Sequence, residues 1–117
     1  MPGSVYVLYS DDYKHLNQVH RFTKPPTEKV LQEYVEGTLE LIPEFDTILI
    51  NGNVYPCLAL AKDTFEALQD RAKINTWANG FWHDSLTHKY GLHMGSGFAI
   101  RGNVVILVGD QEFLDAL

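Results

Sequence analysis

The stretch DTILINGNVYPCLAL, residues 46–60, decides the fold because it carries a hairpin signal between two apolar runs. Asn51 and Gly52 both tolerate positive φ, and Asn-Gly in this setting is the strongest short-range signal for a two-residue β-turn. Pro56 has no backbone N–H to donate, so it marks a bulge, an edge or the end of the second strand. The stretch therefore predicts two antiparallel strands joined by a tight turn.

Apolar patterns on both sides of this hairpin predict more strands. Residues 4–10, SVYVLYS, are apolar in both alternating sets, which is typical of a central strand covered on both faces. The other predicted strands are 18–23 at an edge, 38–42, and a second hairpin of 98–101 and 104–108 around Gly102-Asn103.

Capping signals predict two main helices. Thr27 is expected to cap the first helix, which ends at Gly37 in a left-handed conformation. Asp63, with Glu66 three residues later, predicts the start of a second helix. Asn79-Gly80 is expected to end that helix or to break its pattern. The last residues, EFLDAL, predict a short turn or helix.

Together these elements predict the fold class. Hairpins impose antiparallel pairing, so we expect an α+β fold with a mainly antiparallel sheet and two or three helices packed on it. The chain has 117 residues, which is the size of one domain. We therefore expect a single domain over 1–117, with residues 77–97 as an inserted binding loop.

Charge and composition exclude several classes of protein. The formal net charge of −6 disfavours a nucleic-acid binder and docking on anionic membranes. Cys57 is the one cysteine and lies in an apolar run, so we expect a buried small side chain and no internal disulfide. No signal peptide or membrane-spanning run is recognised, which predicts a cytoplasmic protein.

Residues 77–97, WANGFWHDSLTHKYGLHMGSG, concentrate chemically capable side chains. His83, His88 and His93 recur every five residues, whereas helical metal ligands normally lie three or four apart. Among the candidate ligands of this stretch, only Asp84 and His88 lie four residues apart. A small hydrolase or metal-assisted enzyme is thus an alternative, and no metal, cofactor or catalytic residue is assigned.

The aromatic residues of this stretch indicate either a binding surface, since tryptophan, tyrosine and arginine are common interface anchors, or a structural insertion with one tryptophan in the core and the other partly exposed. If the stretch is helical, Trp77 and Phe81 share a face with Ile74, which is the pattern of a buried face, and Trp82 lies elsewhere. The predicted binding residues are Trp77, Phe81, Trp82, His88, Lys89, Tyr90 and Arg101.

Three pieces occur in a suggestive order: LQEYVEGTLELI (31–42), ILINGNVYPCLALA (48–61) and GNVVILVG (102–109). Together they resemble a small family of unknown function that is encoded in bacteriophage genomes and in bacteria. The resemblance covers 5–109, and residues 77–97 lie outside its pattern. It implies a non-structural phage or mobile-element accessory protein that acts on a host component.

These observations predict a non-enzymatic accessory protein that binds and modulates or inhibits a host protein in the host cytosol. The alternative ligand is a small nucleotide-like anion, which Arg101 would hold with Lys89 or Arg71, flanked by Trp82 or Tyr90. A homodimer is also left open, because small β-rich domains often cover their edges by self-association.

Overall fold

The computed structural model describes residues 2–10, 17–91 and 99–115. These residues form six strands and four helices, which confirms an α+β fold. In chain order the elements are β1 Gly3–Leu8, β2 Gln18–Phe22, α1 Glu28–Val35, β3 Leu39–Leu41, β4 Thr47–Ile50, β5 Asn53–Lys62, α2 Thr64–Gln69, α3 Thr76–Tyr90, β6 Val104–Gly109 and α4 Gln111–Leu114. None of these helices is long and apolar enough to cross a membrane.

All strands pair in the antiparallel sense, as the hairpin signals predict. The strand order is β2-β1-β6-β5-β3, and β4 pairs with the first part of β5. β2 lies at an edge, whereas β1 lies between β2 and β6. Both positions agree with the sequence patterns.

Helices cover the sheet on both faces. On one face α3 packs against a core that includes Ile106 and Ala59. On the other face α1 and α4 pack against a second core that includes Val105 and Leu107. Because successive residues of a strand point to opposite faces, β6 supplies both cores in turn, and its first four residues are all buried.

The edge formed by β3 and β4 is interrupted by a bulge, residues 42–46. Leu41 lies opposite Leu60 and Thr47 opposite Pro56, so residues 42–46 face only residues 57–59 of β5. Backbone bonds close the bulge at both ends, from Ile42 N to Ala59 O at 3.0 Å and from Cys57 N to Asp46 O at 2.9 Å. We call residues 42–46 the edge bulge. α3 contacts both this bulge and β4.

Several local predictions are confirmed. Asn51 and Gly52 have φ values of 50° and 82°, as the hairpin turn requires. Thr27 and Asp63 cap α1 and α2 through their side-chain oxygens. Pro56 lies just before the ladder between β5 and β6, which begins at Cys57, so its missing donor costs no bond to β6.

The end of α1 was predicted one residue too late. Glu36, with φ of 60°, takes the left-handed position that was assigned to Gly37. Gly37 has a different constraint, because a Cβ there would lie 2.5 Å from Cε of Lys62. A side chain at position 37 would therefore displace the Lys62 side chain.

The second predicted helix is wrong in extent. α2 ends at Gln69, Arg71 adopts a positive φ of 55°, and a new helix begins at Thr76. Asn79 and Gly80 lie inside α3 and do not end it. The physical reason is the buried Asn75, whose side chain accepts from Ala78 N at 3.0 Å and starts a separate helix.

The second predicted hairpin is also wrong within the described residues. Both edges of β6 are occupied, by β1 and by β5, so residues 99–101 have no edge of β6 to pair with. Arg101 instead forms an isolated bridge with Ile74. Gly102, at the position of the predicted turn, does adopt a positive φ of 80°. Phe98 lies outside the described residues.

The short C-terminal helix α4 is anchored by one aromatic ring on a pair of glycines. Gly3 and Gly109 are directly opposite each other in β1 and β6. A Cβ at Gly3 would lie 2.6 Å from the Phe113 ring, and a Cβ at Gly109 would lie 2.8 Å from it. Phe113 is fully buried, so the ring has no room to move aside.

We therefore expect Gly109→Ala to lower the free energy of unfolding by about 1–3 kcal/mol, because the added methyl overpacks the core. Urea unfolding followed by circular dichroism measures this. In Phe113→Leu protein the same alanine substitution should cost less, because the ring that it meets is gone. Equal stability of Gly109→Ala and the parent protein would contradict this account of α4.

Candidate functional site

Residues 77–90 form most of one helix, so the predicted inserted loop at 77–97 is wrong for this part. α3 has 15 residues, begins after the Asn75 cap and ends at Gly91, whose φ is 69°. The remaining residues of the stretch, 92–97, lie outside the described residues. The predicted binding residues must therefore be assigned to faces of a helix.

The inner face of α3 packs on the sheet through a regular spacing of four residues. Ala78, Trp82, Ser85 and Leu86 are buried at i, i+4, i+7 and i+8. Trp82 is only 9% exposed, and its Nε1–H donates to Pro43 O at 3.0 Å in the edge bulge. Trp82 is therefore a core residue.

The expected buried face of Ile74, Trp77 and Phe81 is wrong. Ile74 precedes the helix, Trp77 is 47% exposed, and only Phe81 packs in part against the core. The Asn75 cap starts the helix in a register that turns the small Ala78 toward the sheet, which allows close approach. The roles that were predicted for the two tryptophans are thus exchanged.

The C-terminal end of α3 is tied to the edge bulge by charge. The Lys89 ammonium pairs with Glu44 and, at 3.1 Å, with Asp46. The Tyr90 hydroxyl donates to Glu44 Oε2 at 2.8 Å. The hydrogen bond from Lys89 holds the pKa of the Glu44 carboxyl below its usual value, and the same carboxylate raises the pKa of Tyr90. Lys89 and Tyr90 therefore already have partners within the chain.

Arg101 lies at the opposite end of α3. Its Nη1 donates to Ala72 O at 3.3 Å, and its bridge partner Ile74 comes just before the helix. Fifteen residues separate Ile74 from Lys89, which is roughly 20 Å along a helix. The predicted pairing of Arg101 with Lys89 around one anion is therefore wrong, and the aromatic ring beside the Lys89 ammonium is that of Tyr90, with 5.6 Å to the ring centroid.

Arg101 lines a cavity of about 260 Å³ between β3, α2 and residues 99–101. Its charged neighbours there have partners of their own. Glu40 accepts from Thr64 N at 3.1 Å and from Thr64 Oγ1 at 2.9 Å, and Lys62 pairs with Asp70. Two cations thus line the cavity, Lys62 and Arg101, and Lys62 is neutralised by Asp70.

The histidines do not assemble a metal site within the described residues. No group of three His, Cys, Asp or Glu side chains there could hold a metal ion. His83 is partly buried and His88 is exposed on α3, whereas His93 lies outside the described residues. The predicted spacing of Asp84 and His88 is present on the helix, but it supplies only two candidate ligands.

The nucleophile candidates that the structure describes have structural roles. Ser85 is buried, and its hydroxyl lies 2.9 Å from Thr47 Oγ1. Burial raises the pKa of the Cys57 thiol to about 12, and the thiol contacts Phe45 O at 3.7 Å. A thiol with such a pKa is a poor nucleophile near neutral pH. Cys57 is therefore the buried small side chain that the sequence predicts.

The outer side of α3 and the adjoining α2 expose apolar side chains. Phe65 and Leu68 are exposed on α2, and Ile74 and Trp77 follow in the chain. Leu68 lines the same cavity as Arg101, and the backbone of Arg101 bridges Ile74, so Leu68 and Ile74 both lie near Arg101. We call Phe65, Leu68, Ile74 and Trp77 the α2–α3 surface.

Beside Trp77 this surface opens into a shallow groove of about 300 Å³. The groove is lined by Thr76, Trp77, Gly80, Phe81 and Asp84. His88 lies one turn beyond Asp84 on the same stripe of the helix. Of the predicted binding residues, Trp77, Phe81 and His88 therefore share one stripe, whereas Lys89 and Tyr90 meet the edge bulge and Arg101 lines the other cavity.

Two residues that position this site were missed from the sequence. Asn75 Nδ2 donates to Leu8 O at 2.9 Å and to Gly102 O at 3.0 Å. The side chain of Asn79 bonds to the backbone of Ile100 twice. Its Oδ1 accepts from Ile100 N at 3.0 Å, and its Nδ2 donates to Ile100 O at 3.0 Å. Asn75 before an apolar helix start is a recognisable capping signal. The bonds of Asn79 have no local signal, because their partners are far along the chain.

Comparisons with known proteins give no further identification. No protein-family model, no curated protein and no solved structure matches this chain. The resemblance to the phage-encoded family therefore stays a prediction.

The assignment of the tryptophans can be tested by acrylamide quenching of fluorescence. Trp82→Phe protein retains Trp77, and we expect it to be quenched several-fold more strongly than Trp77→Phe protein, because Trp82 is shielded by the sheet. Circular dichroism of both variants controls for folding. Stronger quenching of the protein that retains Trp82 would contradict the placement of α3.

Proposed function

We propose that this protein is a non-enzymatic binding protein and that its partner is another protein, which docks on the α2–α3 surface. The observation that carries this proposal is the set of exposed apolar side chains on α2 and at the start of α3. Phe65 is 69% exposed, Leu68 57% exposed and Trp77 47% exposed. Exposed apolar side chains that gather into one patch mark an interface, and we propose that these side chains do so.

The composition of the surface favours a protein partner. Tryptophan is among the side chains that contribute most to protein–protein binding, especially when it becomes fully desolvated. Trp77 is the tryptophan available for this role, because Trp82 is buried. Leu41, exposed on the other wall of the Arg101 cavity, extends the apolar surface.

The electrostatics speak against the alternative of a nucleotide-like anion. Lys89 is paired with two carboxylates, and Arg101 lies roughly 20 Å from it along α3. The formal net charge of −6 repels a multiply charged anion. The predicted alternative that pairs Arg101 with Arg71 stays a prediction, since Arg71 directly precedes Ala72, whose carbonyl accepts from Arg101.

The cellular context of this proposal comes from the sequence. The resemblance to phage-encoded accessory proteins suggests a host protein as the partner and the host cytosol as the location. By covering part of the host protein's surface, the α2–α3 surface would modulate or inhibit that host protein without catalysing a reaction.

A capture experiment with matched variants tests the proposal. The full chain, a Leu68→Ser/Trp77→Ser variant and a Val19→Ser variant are immobilised, and bound proteins from a bacterial lysate are quantified by mass spectrometry. The Val19 side chain is about as exposed as that of Leu68, but it lies on β2, at the far edge of the sheet. We expect one protein to be retained by the full chain and by Val19→Ser but lost from the double variant.

The captured protein is then purified and its affinity measured. Loss of the Trp77 side chain from an interface centre costs about 2 kcal/mol or more, which predicts an affinity at least about 30-fold weaker for Trp77→Ser. Equal binding of all variants would overturn the proposal. So would a stoichiometric small anion in native mass spectra, or dimers in light scattering that Trp77→Ser abolishes.

A further inference from the structure

Gly80 lies in the middle of α3 without a packing reason. A Cβ built at Gly80 meets no heavy atom within 4 Å, and its φ lies outside the left-handed region. Glycine inside a helix costs about 1 kcal/mol relative to alanine. A glycine that destabilises its helix and contacts nothing indicates a requirement for open space at that point.

The open space at Gly80 is the floor of the groove beside Trp77. Thr76 and Asp84 lie one turn before and one turn after Gly80, and the rings of Trp77 and Phe81 form the side. A side chain at position 80 would fill the groove from below. The missing side chain therefore creates a notch on the exposed side of the helix.

Asp84 gives the notch its charge. Its carboxylate is exposed and has no hydrogen bond or ion pair among the described residues. None of the residues that line the groove carries a positive charge. The notch thus combines two aromatic rings and an uncompensated carboxylate in a chain of net charge −6.

We propose that this notch binds a cationic side chain, an arginine or lysine, of the partner protein. The inference rests on the proposed function, because the notch adjoins the α2–α3 surface and would be covered by the same partner. The apolar stem of the side chain would lie over Gly80. Its charged end would meet the Asp84 carboxylate and the face of the Trp77 ring.

Each contribution is modest, and together they give selectivity for charge. A cation on an exposed aromatic ring gains about 0.5–1 kcal/mol, and an exposed ion pair gains a similar amount. Because both gains require the positive charge, an arginine should bind about tenfold more tightly than a neutral side chain of the same shape.

NMR titration of the full chain tests this with two short peptides. The probes are acetyl-Gly-Arg-Gly-amide and acetyl-Gly-citrulline-Gly-amide, which differ in charge but hardly in shape. We expect the arginine peptide to shift the Trp77 indole N–H and the Gly80 amide in a saturable manner, about tenfold more tightly than the citrulline peptide. The indole N–H of Trp82 is the internal control, because it is bonded to Pro43.

Two variants and one control complete the test. Gly80→Ala should raise the urea midpoint, because it improves the helix, and yet weaken arginine-peptide binding about tenfold by filling the notch. Asp84→Asn should reduce the preference for arginine over citrulline from about tenfold to about threefold, the share that the Trp77 ring contributes. Val19→Ser, at an exposed position on the edge strand β2, should leave binding unchanged.

The outcomes separate this inference from the proposed function. Equal affinities for the two peptides, or undiminished binding by Gly80→Ala, would overturn the notch even if the captured protein still depends on Trp77. Conversely, charge-selective peptide binding that Gly80→Ala removes would support the proposed binding of a cationic side chain in the notch. A failed capture experiment would then count against the protein partner alone.

Discussion

The buried side chain of Asn75 is the interaction on which the arrangement of this protein depends. Its amide donates to carbonyls at the end of β1 and in the turn before β6, and its carbonyl caps α3. Its backbone N–H also donates to Ile100 O at 2.9 Å. An unpaired carbonyl in this position would be costly, so the bonds fix where α3 begins and which side of it meets the sheet.

The register of α3 then divides the helix by role. Ala78, Trp82 and Leu86 face the sheet, and Lys89 and Tyr90 are tied to the edge bulge. The stripe with Trp77 is left on the outside of the helix. Because the inner contacts hold α3 on the sheet, the docking that we propose there would cost little conformational order.

The sequence predicts the fold better than the site. Local signals such as Asn51-Gly52 and the Thr27 cap depend on neighbouring residues, and these predictions are confirmed. The predicted buried and exposed faces of α3 were wrong, because the orientation of the helix depends on contacts of Asn75 with residues 8 and 102, which are distant in sequence. Apolar spacing alone favoured Ile74, Trp77 and Phe81 as the buried side. The edge bulge, which holds Trp82 and Lys89, has no signal in the hairpin pattern.

The central claim is that Asn75 and Asn79 act together as one clamp on residues 100–102. A double-mutant cycle of Asn75→Ala and Asn79→Ala, measured by urea unfolding, tests it most directly. Because both side chains hold the same segment, the double variant should lose less stability than the sum of the single variants, with a coupling energy of about 0.5–3 kcal/mol. Additive effects, to within about 0.5 kcal/mol, would contradict the account.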